Sequence, residues 1–383
     1  MRILMTVHHL KTLNAGAPGA TLLLAQALQA LGNNVTVCGF EDIGATTDGP
    51  ITQLTFPWKL AARLRQLVPY DVLDGSTGDG HLLYPLLRAF FASRRPLLVT
   101  RCHGLEHLAH LRRLEDAKHG LETLSWKYPL YHGGMRLREV ARSLRYADLT
   151  LFLNEEDRSY ATTRLNVSPR RTHVLPNGID TDLLAEDAQV TGAHATIPRV
   201  VWMGSWITRK APDIACAVVE KYLRRNRQRQ AHFLGTGVPD RDVLSMLPHE
   251  LHAQVRTTST YVRHALPSIL RPGDILLFPS RQEGFGMVAL EAMACGLVPV
   301  TTSTPGVLTF VKNRENALVT PIDDVEGLQA AIETLAGDPT LRIRMALAAL
   351  ATARRFTWNT IAERTAHLYA RELASHSRRE GRR

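Results

Sequence analysis

Two glutamates, Glu283 and Glu291, sit around a Gly-Phe-Gly turn in the stretch FPSRQEGFGMVALEAMACGLVPVTT (278–302), which is otherwise mostly apolar. A carboxylate can accept hydrogen bonds from two neighbouring hydroxyls, as on a sugar or a ribose. Gly284 and Gly286 let backbone approach a ligand closely. The amides that open the following helix attract an anion such as a phosphate. Glu291 falls about one turn inside that helix, on the side of Met287. One strand, one loop and one helix could then hold a sugar, a diphosphate and a ribose. Taken alone, the same spacing also fits a loop charge and a solvent-facing helix residue.

The elements around this stretch repeat a strand–helix rhythm. RILMTV (2–7) is a short apolar run of strand length, and a Gly/Pro loop (14–19) follows. ATLLLAQALQALG then predicts a helix closed by Gly32, and NVTVCGF (34–40) the next strand. This βαβ unit implies parallel strands joined by a right-handed crossover. Segments 97–104 and 149–154 read as later strands of the same sheet. The rhythm restarts at RVVWMGS (199–205), then continues through a helix at APDIACAVVEKYLRRN, a strand at 231–235, a short helix at PDRDVLSML, and the strands 274–280 and 298–303. The weakly periodic segment LPNGIDTDLLAEDAQVTGAHATIP suits an interdomain connection. The expected divisions are 1–185, 186–356, and a C-terminal helix with a basic tail, 357–383, returning to the first domain. The fold class is α/β, two doubly wound Rossmann-like halves facing a cleft, with ligand beyond the carboxyl ends of the strands.

The 383 residues exceed what one hydrophobic core usually organises. No apolar run reaches membrane-spanning length, and MRILMTVHHL lacks the apolar stretch of a secretory signal. Cys38, Cys102, Cys216 and Cys295 are scattered, which fits reduced thiols in a cytoplasmic protein. The net charge of +10 favours anionic partners. Nucleic acid is not expected, because no binding module is recognisable.

The ordered string PSRQEGFGMVALEAMACGLVPV closely resembles the signature of retaining glycosyltransferases of family 4, which have the GT-B fold. Other segments resemble the same family in the same order: RCHG (101–104), VLPNGID (174–180), VWMGSWITRKA (201–211), FLGTG (233–237), NALVTPID (316–323) and the aromatic Trp358. The resemblance implies transfer of a sugar from a nucleoside-diphosphate sugar with retention at the anomeric carbon, without metal or other cofactor. It implies catalytic roles for Glu283, His103 and Lys210: Glu283 on sugar hydroxyls, Lys210 on the diphosphate, His103 on the sugar from the first domain. It implies donor contacts at Gly16, Ser205, Arg209, Gly284, Phe285, Gly286, Met287 and Glu291. Ser205 stands where the family usually has Arg, and Arg209 is the candidate replacement. Ala15-Gly16 replaces the usual Gly-Gly.

The resemblance is weakest from about 45 to 95 and from 105 to 145, and the poorly matched region 81–145 is the expected acceptor side. It mixes aromatics with Arg and Lys, which suits a glycan or lipid-linked acceptor and peripheral contact with the inner face of a membrane. An ordinary core helix pair with a basic outside explains the same residues. His103, His107 and His110 could share a helix face and bind zinc, or lie on a polar face. DRD (240–242) resembles a metal motif, but Asp240 is expected to be a helix N-cap. Alternative readings of the whole chain are a catalytically weak sugar-nucleotide binder, a sugar-nucleotide epimerase and, last, a nucleic-acid binder.

Overall fold

The computed structural model describes all residues except 14, 15, 68, 92–94, 196 and 381–383, so Ala15 and the end of the basic tail lie outside it. The chain divides into two units, Met1–Gly178 with Trp358–Arg383, and Ile179–Thr357. The first division falls before residue 185 because the intervening residues bond within the second unit. There Ile179 N–H donates to Phe356 O and Ala185 N–H to Ala294 O.

The first unit holds six parallel strands: β1 (Arg2–Thr6), β2 (Asn34–Cys38), β3 (Val72–Ser76), β4 (Leu97–Arg101), β5 (Leu149–Phe152) and β6 (Thr172–Val174). Their order is β2-β1-β3-β4-β5-β6. β4 and β5 are buried throughout, as expected of a parallel sheet covered on both faces. The order reverses between β1 and β3, so their carboxyl ends flank a topological switch point. The helix Trp358–Glu380 belongs to this unit. Its Tyr369 is fully buried and donates to Asp74 on β3 (2.5 Å), while Arg101 on β4 bonds both Asp74 (2.9 Å) and the Tyr369 hydroxyl (3.1 Å).

The second unit repeats the plan with β7 (Val200–Met203), β8 (Ala231–Leu234), β9 (Val255–Thr258), β10 (Ile275–Phe278), β11 (Val298–Thr302) and β12 (Leu318–Thr320). The order is β12-β11-β10-β7-β8-β9, again parallel, with the reversal between β10 and β7. Trp202, Phe233, Leu277, Val300, Leu328 and Ile332 form part of its core, and each such side chain contributes roughly 1.5–3 kcal/mol on burial. The helix Pro212–Arg224 starts with proline, whose missing N–H costs nothing there, and buries Val218, Val219 and Tyr222. One expectation is corrected: Pro239 occupies the cap position of Asp240–Leu244 and no side chain caps it, so Asp240 is the first helical residue.

Candidate functional site

In the second unit, the loops after β7 and β10 leave the sheet on either side of its switch point. The first makes a tight turn, Thr208–Lys210, and passes through Ala211, a buried residue in the left-handed region (φ 50°). Such a backbone costs a non-glycine residue roughly 1–2 kcal/mol and turns Lys210 back over the end of β10. The Lys210 ammonium lies 5.1 Å from the centre of the Phe278 ring and donates to Glu283 Oε1. Both side chains are nearly buried, 11% and 6% exposed.

The second loop ends at Gly286, whose φ of 92° caps the helix Met287–Ala294. That conformation suits glycine alone among common residues. It also sets the first amides of the helix outside the helical ladder, where they lack intrahelical partners. Gly306 presses on the same loop: a Cβ there would stand 2.5 Å from Glu283 O and 2.6 Å from Phe285 N. Bare backbone thus packs on bare backbone, which holds Glu283 in place. The Phe285 ring turns into the core against Phe310 (5.2 Å) and Phe356 (6.4 Å). Only its backbone faces the loop side, with that of the half-buried Gly284 and Met287.

Glu291 lies one turn along the helix and is 3% exposed. Burial pushes its carboxyl up to about 7; Asp180 adds to the rise, while Arg263 and Lys210 oppose it. Arg263 Nε stands 3.0 Å from Glu291 Oε1. Tyr261 belongs to the same group, its hydroxyl pushed up by burial and by Glu291. Ser205 and Arg209 are exposed. The Arg209 side chain makes no hydrogen bond or ion pair among the described residues. Lys210, Glu283, Gly286 and Glu291 therefore gather at one strand end, whereas Arg209 and Ser205 stand at its open side.

In the first unit His103 follows β4. Thr21 donates its hydroxyl to Ala17 O (3.1 Å), so its oxygen accepts from His103 Nε2 (3.3 Å). That leaves His103 Nδ1 as a buried acceptor without a hydrogen-bond partner. Burial pushes this imidazole down to about 3, with Arg101 lowering and Asp79 raising it, so it is neutral near pH 7. Gly16 opens the helix Gly16–Ala30 and is exposed, with nothing within 4 Å of where a Cβ would be. His107 and His110 do not join His103. His107 packs near Tyr160 (6.1 Å) and His110 bonds the Tyr128 hydroxyl (3.0 Å). Among the described residues, no group of three or more His, Cys, Asp or Glu could hold a metal ion.

Sequence reasoning missed a second pair. His8 and Asp79, 71 positions apart, meet at the switch point of the first sheet, His8 Nδ1 2.7 Å from Asp79 Oδ1. The other oxygen of Asp79 accepts from Thr6 (2.5 Å), and Asp79 is fully buried. The His8 ring is wedged edge-on against Phe40 (5.3 Å) and Phe56 (5.5 Å). The one available signal was position: each follows a strand that flanks the reversal of strand order.

Known proteins resemble the chain in both halves. Residues 16–183 match the family described as Glycosyltransferase Family 4, and residues 197–338 match Glycosyl transferases group 1. A D-inositol 3-phosphate glycosyltransferase of Kribbella flavida is 26% identical over 249 residues, 61% of this chain and 59% of that protein. The match thus spans about three-fifths of the relative's length. Sucrose-phosphate synthase from Thermosynechococcus elongatus shares the fold with a TM-score of 0.78 at 19% identity, covering 98% of this chain and all of that one (100%). The Anabaena protein HepE in complex with UDP-glucose has a TM-score of 0.67 at 20% identity, covering 98% and 100%. With two Rossmann-like sheets, and family matches across both of them, the chain belongs to glycosyltransferase family 4 and has the GT-B fold.

Proposed function

We propose that this chain is a retaining hexosyltransferase that moves a sugar from a nucleoside-diphosphate sugar to a hydroxyl of a glycan or lipid-linked acceptor, without a metal ion. The observation that carries this reading is the Lys210–Glu283 pair at the β7/β10 switch point, beside the helix that starts at Met287. As the bond from the anomeric carbon to the diphosphate breaks, negative charge grows on the leaving oxygen. The Lys210 ammonium and the amides after Gly286 stabilise that charge, and fixed donors of this kind lower a barrier by about 3–4 kcal/mol each. The leaving oxygen takes the acceptor's proton, and the new carbon–oxygen bond forms on the same face. Glu283 exchanges its bond with Lys210 for the sugar's hydroxyls. Glu291, relieved of its proton, accepts from the ribose. His103 offers its unpaired Nδ1 to a sugar hydroxyl. Gly284, Phe285, Gly286 and Met287 act through backbone, while Arg209, Ser205 and Gly16 complete the donor contacts.

UDP-glucose bound to HepE supports a uridine donor. Trp58 is largely exposed and lines one cavity of about 410 Å³ with Arg138 and Arg142, and Trp126 and Leu130 are largely exposed beside Lys127. Such a surface supports a cytoplasmic protein that rests peripherally on an anionic membrane. Among the described residues no helix is long and apolar enough to cross one. A second reading, a catalytically weak sugar-nucleotide binder, is favoured by the exposure of Ser205 and Arg209, so that the candidate replacement for the family's usual Arg is not held in place beside Lys210.

The test is a thermal-shift screen with UDP-, GDP- and ADP-sugars, followed by NMR of the product made from the stabilising donor. One donor raises the melting temperature, and its product keeps the donor's anomeric configuration. Binding without turnover supports the second reading. An inverted product, or no stabilising donor, contradicts the first.

A further inference from the structure

Within the quoted string PSRQEGFG, the arginine has no part in the chemistry above. We infer that Arg281 is a positioning residue: it locks the Lys210 turn to the Glu283 loop, so that the amine stands where a donor diphosphate needs it. The inference rests on the reading that Lys210 meets the diphosphate.

Arg281 is 5% exposed. Its Nε donates to Asp323 Oδ1 (2.6 Å), its Nη1 to Thr208 O and Asp213 Oδ1 (both 3.0 Å), and its Nη2 to Asp213 Oδ2 (2.6 Å). Its own backbone N–H donates to Arg209 O (2.9 Å). Thr208 and Arg209 are the two residues before Lys210, and Asp213 lies in the first turn of the helix that follows. Both ends of the lysine turn are therefore tied to one residue, two places before Glu283. The bidentate grip on Asp213 needs a planar fork. A lysine in its place offers one ammonium and cannot reach these acceptors together. Asp213 and Asp323 are 49% and 42% exposed, so the charge of the buried guanidinium is balanced at the surface. The turn it braces carries the strained residue Ala211, and a strained loop keeps its shape only when its surroundings over-determine it. None of the Arg281 bonds goes to the Lys210 or Glu283 side chain, so its effect passes through the turn.

The experiment is isothermal titration of UDP, GDP and ADP, and of the matching monophosphates, into wild type, Arg281→Lys, Asp213→Asn, Lys210→Ala and the double variant of Arg281→Lys with Lys210→Ala. The ratio of diphosphate to monophosphate affinity falls about tenfold in Arg281→Lys and several-fold in Asp213→Asn. A merely structural role would weaken both nucleotides alike. In the Lys210→Ala background, Arg281→Lys costs no further diphosphate affinity, because the two act as one unit. An unchanged ratio in folded Arg281→Lys and Asp213→Asn, or additive losses in the double variant, overturns the inference. If wild type prefers no diphosphate to its monophosphate, the reading of Lys210 fails, and this inference fails with it.

Discussion

The two sheets have the same kind of reversal, yet different residues stand at their switch points. Between β10 and β7 an ammonium meets a carboxylate, beside the start of the helix Met287–Ala294. Between β1 and β3 an imidazole leans on a fully buried aspartate, which Thr6 holds from the other side. The first arrangement offers fixed positive charge, as a departing diphosphate requires. The second offers an imidazole whose Nε2 is not engaged by Asp79 and can meet a hydroxyl. Topology thus marks both places as candidate ligand sites, and only the side chains distinguish them. The second unit also braces its site through backbone pressed on backbone at Gly306, where the first unit uses aromatic edges at Phe40 and Phe56.

That contrast can be broken by substitution. Removing the cation should have the largest effect: Lys210→Ala lowers transfer by about 10²–10³ in kcat, the scale of losing one fixed donor to a developing anion. Initial rates with the donor found by screening check this. Glu283→Ala leaves the buried ammonium unpaired and lowers stability by about 3 kcal/mol, readable by urea titration, in addition to its loss of transfer. In the first unit, Asp79→Ala strips acceptors from Thr6 and His8. It should lower stability by roughly 2–3 kcal/mol while leaving nucleotide affinity within twofold.

A subtler break concerns pH. The Glu291 carboxyl is raised from its ordinary 4.5 to about 7 in the fold, so the folded protein keeps a proton there that the unfolded chain has released. Stability therefore falls as pH rises through that window. Glu291→Gln should flatten this fall, with a gain of about 3 kcal/mol at pH 8 and none below pH ~4. Arg263 and Lys210 oppose the shift, and Asp180 reinforces it. Melting temperatures across pH 4–8 (roughly the span of the window) measure it. The smallest effect concerns a single hydroxyl buried in the first unit. Tyr369→Phe loses one hydroxyl between Asp74 and Arg101, worth about 1–2 kcal/mol, and should leave nucleotide binding unchanged.

The strands that advertise themselves in the sequence are those buried on both faces. RILMT, LLVTR, VVWM and ILLF are nearly continuous apolar runs, and each is a strand. β3 escaped notice because VLDGS carries an aspartate, a glycine and a serine. The aspartate is neutralised by Arg101 and Tyr369, and the Gly75 N–H is used by the Tyr84 hydroxyl. Those partners lie outside the strand and cannot be read from it. β6, β9 and β12 are outermost strands or three to four residues long, too short for alternation to register. The clustering of Glu283, Gly286 and Glu291 was legible because they are contiguous and share one strand–loop–helix. Arg281 lay in plain view inside the same string, but its partners Thr208, Asp213 and Asp323 come from the turn after β7, the helix that follows it and the loop after β12. His8 and Asp79 needed the strand order before their meeting could be foreseen.

The division of labour between the switch points is tested most directly by titrating UDP, GDP and ADP into wild type, Lys210→Ala and His8→Ala in parallel calorimetry. The account predicts that the nucleotide bound by wild type is lost or weakened at least tenfold in Lys210→Ala and bound normally by His8→Ala. Equal binding to wild type and Lys210→Ala, or loss only in His8→Ala, would contradict it.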